Sequence, residues 1–268
     1  MALVYSYVDG SGRLGRDRVI TSAGVVGYVN DINRFEFAWK TLLSRYELPN
    51  GLTMKEALLA DKPLSPKIPS QSIDERIEAL RPFAIAIRKN LRSAVAISID
   101  TDAFKQLPDA AKTALGTKPD FLAFASAMMV SGYHSQPDDK VSIVSDDDEE
   151  IAWDCYRFYR QLKSNSAEFR RKTPCITFAD DTVFVALQAA DMLAALWRRH
   201  GEFIESDRPY DYQPLLRAIV SDTDRSEEMI HTHPWHWGKE TLVSMADEYT
   251  QWGKRLPMAL LPSLAADF

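Results

Sequence analysis

Three aspartates stand directly after short apolar runs: Asp9 after Tyr-Ser-Tyr-Val, Asp100 after Ala-Ile-Ser-Ile and Asp146 after Val-Ser-Ile-Val-Ser. In an open α/β sheet the ligand crevice lies beyond the carboxyl ends of strands. Carboxylates that converge there repel one another unless cations sit between them, and an all-oxygen donor set selects Mg²⁺ or Mn²⁺. Taken singly, each of the three also reads as a turn residue or helix cap. Asp191 differs, because it lies inside the apolar helical run Leu187-Gln188-Ala189-Ala190-Asp191-Met192-Leu193-Ala194. Gln188, three residues earlier, projects from the same face. A buried carboxylate is costly unless it is paired, hydrogen-bonded or metal-bound. This pair therefore either reaches an ion or ties down a neighbouring strand or loop.

Asp146 also opens a run of five acids ending at Glu150. Most of that run is favourable negative charge at a helix N-terminus, and Asp146 is its first member to face a site. His231, His233 and His236 fall within six residues, among Trp235 and Trp237. Such density can bind zinc, which gives a minor reading as a zinc hydrolase; a polar, aromatic loop packed on the core is the simpler one. No Gly-x-Ser-x-Gly nucleophile elbow occurs, and no Walker-type phosphate loop. Gly10, Gly12 and Gly15 follow the first strand but open no helix, so they are not a dinucleotide fingerprint.

These residues need elements to hold them. Leu3–Val8 and Val19–Val29 read as strands joined by a short hairpin turn. A helix follows from Asp31, with Ile32, Phe35, Trp39, Leu42 and Leu43 on one stripe. Residues 51–71 read as an irregular loop, with a short turn of helix around Met54–Leu59. A second helix then carries Ile73, Ile77, Leu80, Ala84, Ile87 and Leu91, kinked or restarted at Pro82. Ser93–Ile99 is apolar on both faces, the pattern of a central strand. Helices are expected over about 103–115 and from Pro119 to about Tyr133. A strand at Val141–Ser145, a helix through Ile151, Cys155, Phe158 and Leu162, and a strand at Cys175–Phe178 come next. The strongest helix runs from about Val183 to His200, closed by Arg198, Arg199, His200 and then Gly201. The remainder reads as helix and loop.

The composition is 46% hydrophobic and 26% charged over 268 residues, which excludes collagen-like, coiled-coil and wholly disordered classes. Two cysteines cannot build a disulfide framework. No apolar run reaches the roughly 18–20 residues that span a bilayer, and the N-terminus lacks a signal peptide's basic start. A soluble cytoplasmic protein is expected. With a net charge of −6 the chain is not a general polyanion binder. A local basic groove, or an acidic site filled by cations, remains open; Arg13, Arg16 and Lys55 are the cations nearest the acids in sequence.

Tyr7-Val8-Asp9-Gly10-Ser11-Gly12, taken with Phe178-Ala179-Asp180-Asp181 and Leu187-Gln188-Ala189-Ala190-Asp191-Met192-Leu193-Ala194, resembles the DUF3800 family. Its members begin with Y-x-D-x-S-G and close their core with F-x-D-S…L-Q-x-A-D-x-x-A. Gly10 stands where the family often has an acid, and Asp181-Thr182 where it shows aspartate then serine. The resemblance covers about residues 3–200 and implies a ribonuclease H-like α/β fold: one domain over 1–268, a mixed sheet flanked by helices, and a helical extension over 201–268. It also implies a two-metal carboxylate site. Asp9, Asp191 and Gln188 match the motifs, and Glu56 matches a glutamate after the first long helix. Asp146 is the first choice for the third acid and Asp100 the second. The expected function is Mg²⁺- or Mn²⁺-dependent hydrolysis of nucleic acid. The alternative is a non-catalytic module that binds a protein partner, in a phage-defence or mobile-element setting.

Overall fold

The computed structural model describes residues 2–13, 15–115, 118–119, 123–124, 127, 136, 138–147, 149–165, 167–206, 210–220 and 231–251. Six strands make one mixed sheet: β1 (Leu3–Ser11), β2 (Val19–Tyr28), β3 (Ser93–Asp100), β4 (Lys140–Asp146), β5 (Cys175–Ala179) and β6 (His231–Trp237), in the order β5-β4-β1-β2-β3-β6. β2 runs antiparallel to both neighbours, while β1–β4, β4–β5 and β3–β6 are parallel. The fold is therefore α/β. β1 is longer than its sequence suggests, because Gly10 and Ser11 extend the hairpin by pairing Ser22 and Thr21.

Side chains alternate across the sheet and separate two cores. On one face Tyr7, Ala23, Val25, Ala94, Ala96 and Val144 meet helices α1 (Val29–Arg45), α3 (Ile73–Asn90), α8 (Ala186–Ser206) and α9 (Gln213–Val220). Trp39 of α1 and Phe83 of α3 pack edge-on with ring centres 4.9 Å apart. On the other face Val4, Val8, Val95, Ile97, Ile99 and Ile143 meet the segments bearing Phe104, Tyr159, Phe169 and Leu242. These belong to α4 (Thr101–Lys105), α6 (Glu149–Asn165), α7 (Ala167–Lys172) and α10 (Lys239–Gln251). Two further short helices among the described residues are α2 (Met54–Ala57) and α5 (Asp109–Leu115). Each such apolar side chain contributes on the order of 1.5–3 kcal/mol when fully buried.

Four expectations change. Residues 231–237 are not a loop: they form an edge strand, which is where Pro234 is tolerated inside a sheet. The chain beyond residue 201 is thus not a purely helical extension, since it returns to complete the sheet. α3 is not restarted at Pro82, since one helix runs from Ile73 to Asn90. Gly201 is not a helix stop either, because α8 continues to Ser206. A Cβ at Gly201 would lie 2.9 Å from Val19 Cγ1 and 3.1 Å from His236 Nδ1, so the glycine lets the helix press onto the sheet. The helix expected over 119–133 lies largely outside the described residues. No helix among the described residues is long and apolar enough to cross a membrane.

Candidate metal centre

The sheet's register carries the acids to one place. Val8 pairs Ser145 across β1 and β4, so Asp9 and Asp146 are one step further along and level with each other. Asp146 pairs Ala179 of β5, and Asp181 follows two residues later. Asp9 shares a face with Tyr7, and Asp146 with Val144, both in the core beneath α8. α8 packs on that face and brings Asp191. Asp146, Asp181 and Asp191 all act on Asp9, and Asp146 and Asp181 on Asp191. Burial first, then the charges of Asp191, Asp146 and Asp181, hold Asp9 well above the usual carboxylate range against a hydrogen bond from Gly10 N–H (2.6 Å). Burial pushes Asp191 up to about 6, with Asp181 and Asp146 adding and Met54 N–H opposing. Asp181 is also raised, by burial and by Asp180 and Asp147.

Among the described residues neither Asp9 nor Asp191 has a Lys, Arg or His partner within ion-pairing distance. Repulsion at these positions is met by protons or by cations. The donor set is wholly oxygen, which fits Mg²⁺ or Mn²⁺. Among the described residues no three His, Cys, Asp or Glu side chains already stand in the arrangement that encloses an ion.

Gln188 and Asp191 anchor the segment that follows α1. Asp191 Oδ2 accepts from Met54 N (2.8 Å). Gln188 Oε1 accepts from Trp39 Nε1 (2.9 Å) and Leu52 N (3.0 Å), and its Nε2 donates to the Asp181 carbonyl (3.0 Å). Gln188 therefore positions the loops around the acids. Gly51 makes this approach available: its φ is +90°, and a Cβ would fall 2.2 Å from Gln188 Nε2. The fully buried Arg76 of α3 donates to three carbonyls further along the same loop, those of Ala57 (3.1 Å), Lys62 (2.5 Å) and Pro69 (3.4 Å). Glu56 is exposed on α2, two residues past the Met54 N–H that meets Asp191. Lys55, Arg13 and Arg16 are likewise exposed.

Asp100 lies elsewhere. Asp9, Ala23 and Ala96 are in register, and Asp100 is four residues beyond Ala96 and two strands over. At ~3.3 Å per residue and ~4.8 Å per strand this is roughly 16 Å from Asp9. Its carboxylate caps α4, accepting from Asp102 N (2.8 Å) and Ala103 N (3.3 Å), and faces Arg18 at 3.6 Å. That is the capping role open to any acid after a strand. His236 binds Ser98 Oγ and Glu205 Oε1, each at 2.7 Å, which locks β6 to β3 and α8. The side chains of His231 and His233 lie outside the described residues. Asp181 is the member of the acid group that the motifs alone do not single out. Asp180-Asp181-Thr182 looks like a capping cluster, and Asp180 does bind Thr182 N and Oγ1 at 2.7 and 2.6 Å. The signal that could have found it is the strand Cys175–Ala179 ending just before it. No family model and no curated protein matches the chain.

Proposed function

We propose that this protein is a Mg²⁺- or Mn²⁺-dependent phosphodiesterase acting on nucleic acid, ribonuclease H-like in fold and similar to the DUF3800 family. The observation that carries the reading is the gathering of Asp9, Asp146 and Asp181 towards the carboxyl ends of three adjacent parallel strands beneath Asp191 of α8, where Asp191, Asp146 and Asp181 all raise Asp9. Asp9, Asp146 and Asp191 would hold the cations, with Asp181 at their edge. When bound, such ions supply a water acidic enough to attack near neutral pH and stabilise the leaving oxygen. The chain's own part is positional. Gly10 N–H fixes Asp9 Oδ1, Met54 N–H fixes Asp191 Oδ2, and Gln188 holds Leu52 and Asp181 in place. Glu56, exposed on α2, would meet a substrate arriving from solvent.

The test is cleavage of labelled single-stranded DNA, duplex DNA, RNA and RNA–DNA hybrid at low salt. Cleavage that needs Mg²⁺ or Mn²⁺ and is lost in Asp9→Asn supports the reading. Cleavage resistant to chelator, or full activity of the variant, refutes it. A non-catalytic binding module is the second reading, favoured by the bonds that Asp191 and Gln188 make to loop backbone. Absence of calorimetric Mn²⁺ binding in the wild type, together with no cleavage, selects that one.

A further inference from the structure

The sheet ends in two edge strands that differ in how they meet solvent. β6 carries Pro234, a residue that blunts an edge against further pairing. β5 bounds the sheet on the other side. Its five residues, Cys175-Ile176-Thr177-Phe178-Ala179, hold no charge, proline or glycine, and Ile, Thr and Phe all favour strands. Among the described residues the backbone of 175–179 bonds only β4, so its outward N–H and C=O groups meet no further strand. Cys175 and Thr177 are exposed. The two ends of this edge differ in charge. Level with the start of β5 lie Lys140, Lys163, Arg170, Arg171 and Lys172. The acids at that end are fewer. Asp139 is turned inward and accepts from Ala2 N (2.7 Å) and Tyr28 Oη (2.9 Å). Asp138 faces Arg171 at 3.8 Å, and Glu168 is exposed. At the carboxyl end stand Asp146, Asp147, Asp180 and Asp181, and residues 141–147 and 175–185 contain no lysine or arginine.

We propose that β5 pairs antiparallel with β5 of a second copy of this chain, about a two-fold axis at Thr177, so that one sheet runs through a dimer. Any strand added here has to bring acids to the amino end of β5 and cations to its carboxyl end. β5 of a second copy, turned about, does both. A parallel alignment would set like charges side by side. Overlap of all five residues centres the axis on Thr177, which then faces its own copy, while Ile176 faces Phe178 and Cys175 faces Ala179. Thr–Thr and aromatic–β-branched pairs are favourable neighbours across antiparallel strands. The same axis sets the last turn of α7 in one copy beside Asp180 and Asp181 of the other. The contact is isologous, so it closes at two copies and leaves no β5 edge for a third. The two Cys175 side chains are offset by four residues, or ~14 Å along the strands, beyond disulfide reach. The inference does not rest on the phosphodiesterase reading.

The experiment is sedimentation velocity of the full chain at low salt, from micromolar to millimolar protein. The expected result is a reversible monomer–dimer equilibrium. It should be weak, because two five-residue strands bury less than the ~1,200–2,000 Å² of a standard interface. Backbone amides of residues 175–179 should exchange more slowly as the dimer fills. Thr177→Lys should abolish the dimer, since it sets two ammonium groups opposite each other on the axis. Arg170→Glu/Arg171→Glu should raise the dimer Kd about tenfold, because the axis repeats each reversed contact. Thr177→Cys in a Cys175→Ser background should form a disulfide-linked dimer on mild oxidation, as opposed Cα atoms in an antiparallel pair lie ~4.5–5.5 Å apart. Each variant is checked by a thermal melt. A wild type that stays monomeric over the whole range overturns the proposal and leaves the edge to a foreign strand. A dimer indifferent to Thr177→Lys overturns it as well, as does a wild-type dimer without added protection at 175–179, a reading that needs no variant.

Discussion

Replacing Asp191 by asparagine should stabilise the metal-free protein, and the gain should depend on pH. Burial and neighbouring carboxylates raise Asp191 to about 6, against about 3.9 for an aspartate in an unfolded chain. A gap of about two pH units corresponds to ~3 kcal/mol at 1.36 kcal/mol per unit. Asp191 is partly open to solvent, and screening reduces this to about 1–2 kcal/mol. The sign follows from linkage. A carboxyl group whose folded value is raised contributes stability below its unfolded value, and that contribution is lost as pH rises through about 6. Above this point the wild type bears a charge that asparagine lacks, and the amide oxygen can still accept Met54 N–H. In EDTA at about pH 8 the variant should therefore melt roughly 3–6 °C above wild type, at ~2–4 °C per kcal/mol for a protein of this size. At about pH 5 the difference should fall to roughly half, and below about pH 4 it should approach zero. Saturating Mg²⁺ should reverse the order, since it stabilises only the protein that binds it well. A variant that melts below wild type at every pH, or by the same margin at both, would refute the argument and make Asp191 a structural acceptor.

Cation binding should strengthen with pH between about 5 and 7, because Asp191, near 6, must lose its proton to ligate; Mn²⁺ titration calorimetry at several pH values reads this. Gly51→Ala places a Cβ against the tethered Gln188 amide at a φ of +90° and should cost about 1–3 kcal/mol, measured by urea melts. Arg76→Met strips three loop carbonyls of their buried donor and should cost about 3 kcal/mol. Restoration of that loss by Lys, which cannot reach all three, would argue against the clasp.

Much of the centre was legible because strand period and helix period are local properties. Asp9 after an aromatic, β-branched run and Asp191 amid alanines and leucines each announced a polar group in an apolar setting. Which acid joins them is a matter of register, and register is set between strands far apart in sequence. Asp100 and Asp146 look alike along the chain. Only the order β4-β1-β2-β3 puts one beside Asp9 and the other two strands away. Asp181 was hidden by Asp180, since adjacent acids past a strand differ only in which way the turn aims them. Gly201 followed three basic residues as a helix stop would, but the space it leaves is claimed by Val19 and His236 of other elements. The polar, aromatic segment 231–237 read as a loop; a strand holding Pro234 is tolerated only at a sheet edge, and edges are visible only once the sheet is assembled.

Five polar residues of α8 share one narrow stripe: Gln188, Asp191, Arg198, Glu202 and Glu205 fall within about 100° of helical arc at ~100° per residue. Asp191 stands in the acid group, Arg198 bonds Ser11 Oγ (3.1 Å) beyond Asp9, and Glu205 meets Arg18 and His236. These contacts are spread over ~21 Å of rod between Asp191 and Glu205. Inserting or deleting one residue between them would turn one end by ~100° relative to the other. Either the carboxylate would leave its neighbours or Glu205 would leave Arg18 and His236. The helix therefore acts as a shaft with its two ends keyed in phase, and its length is fixed by geometry in a way that the β1–β2 turn, open to solvent at Gly15 and Arg16, is not.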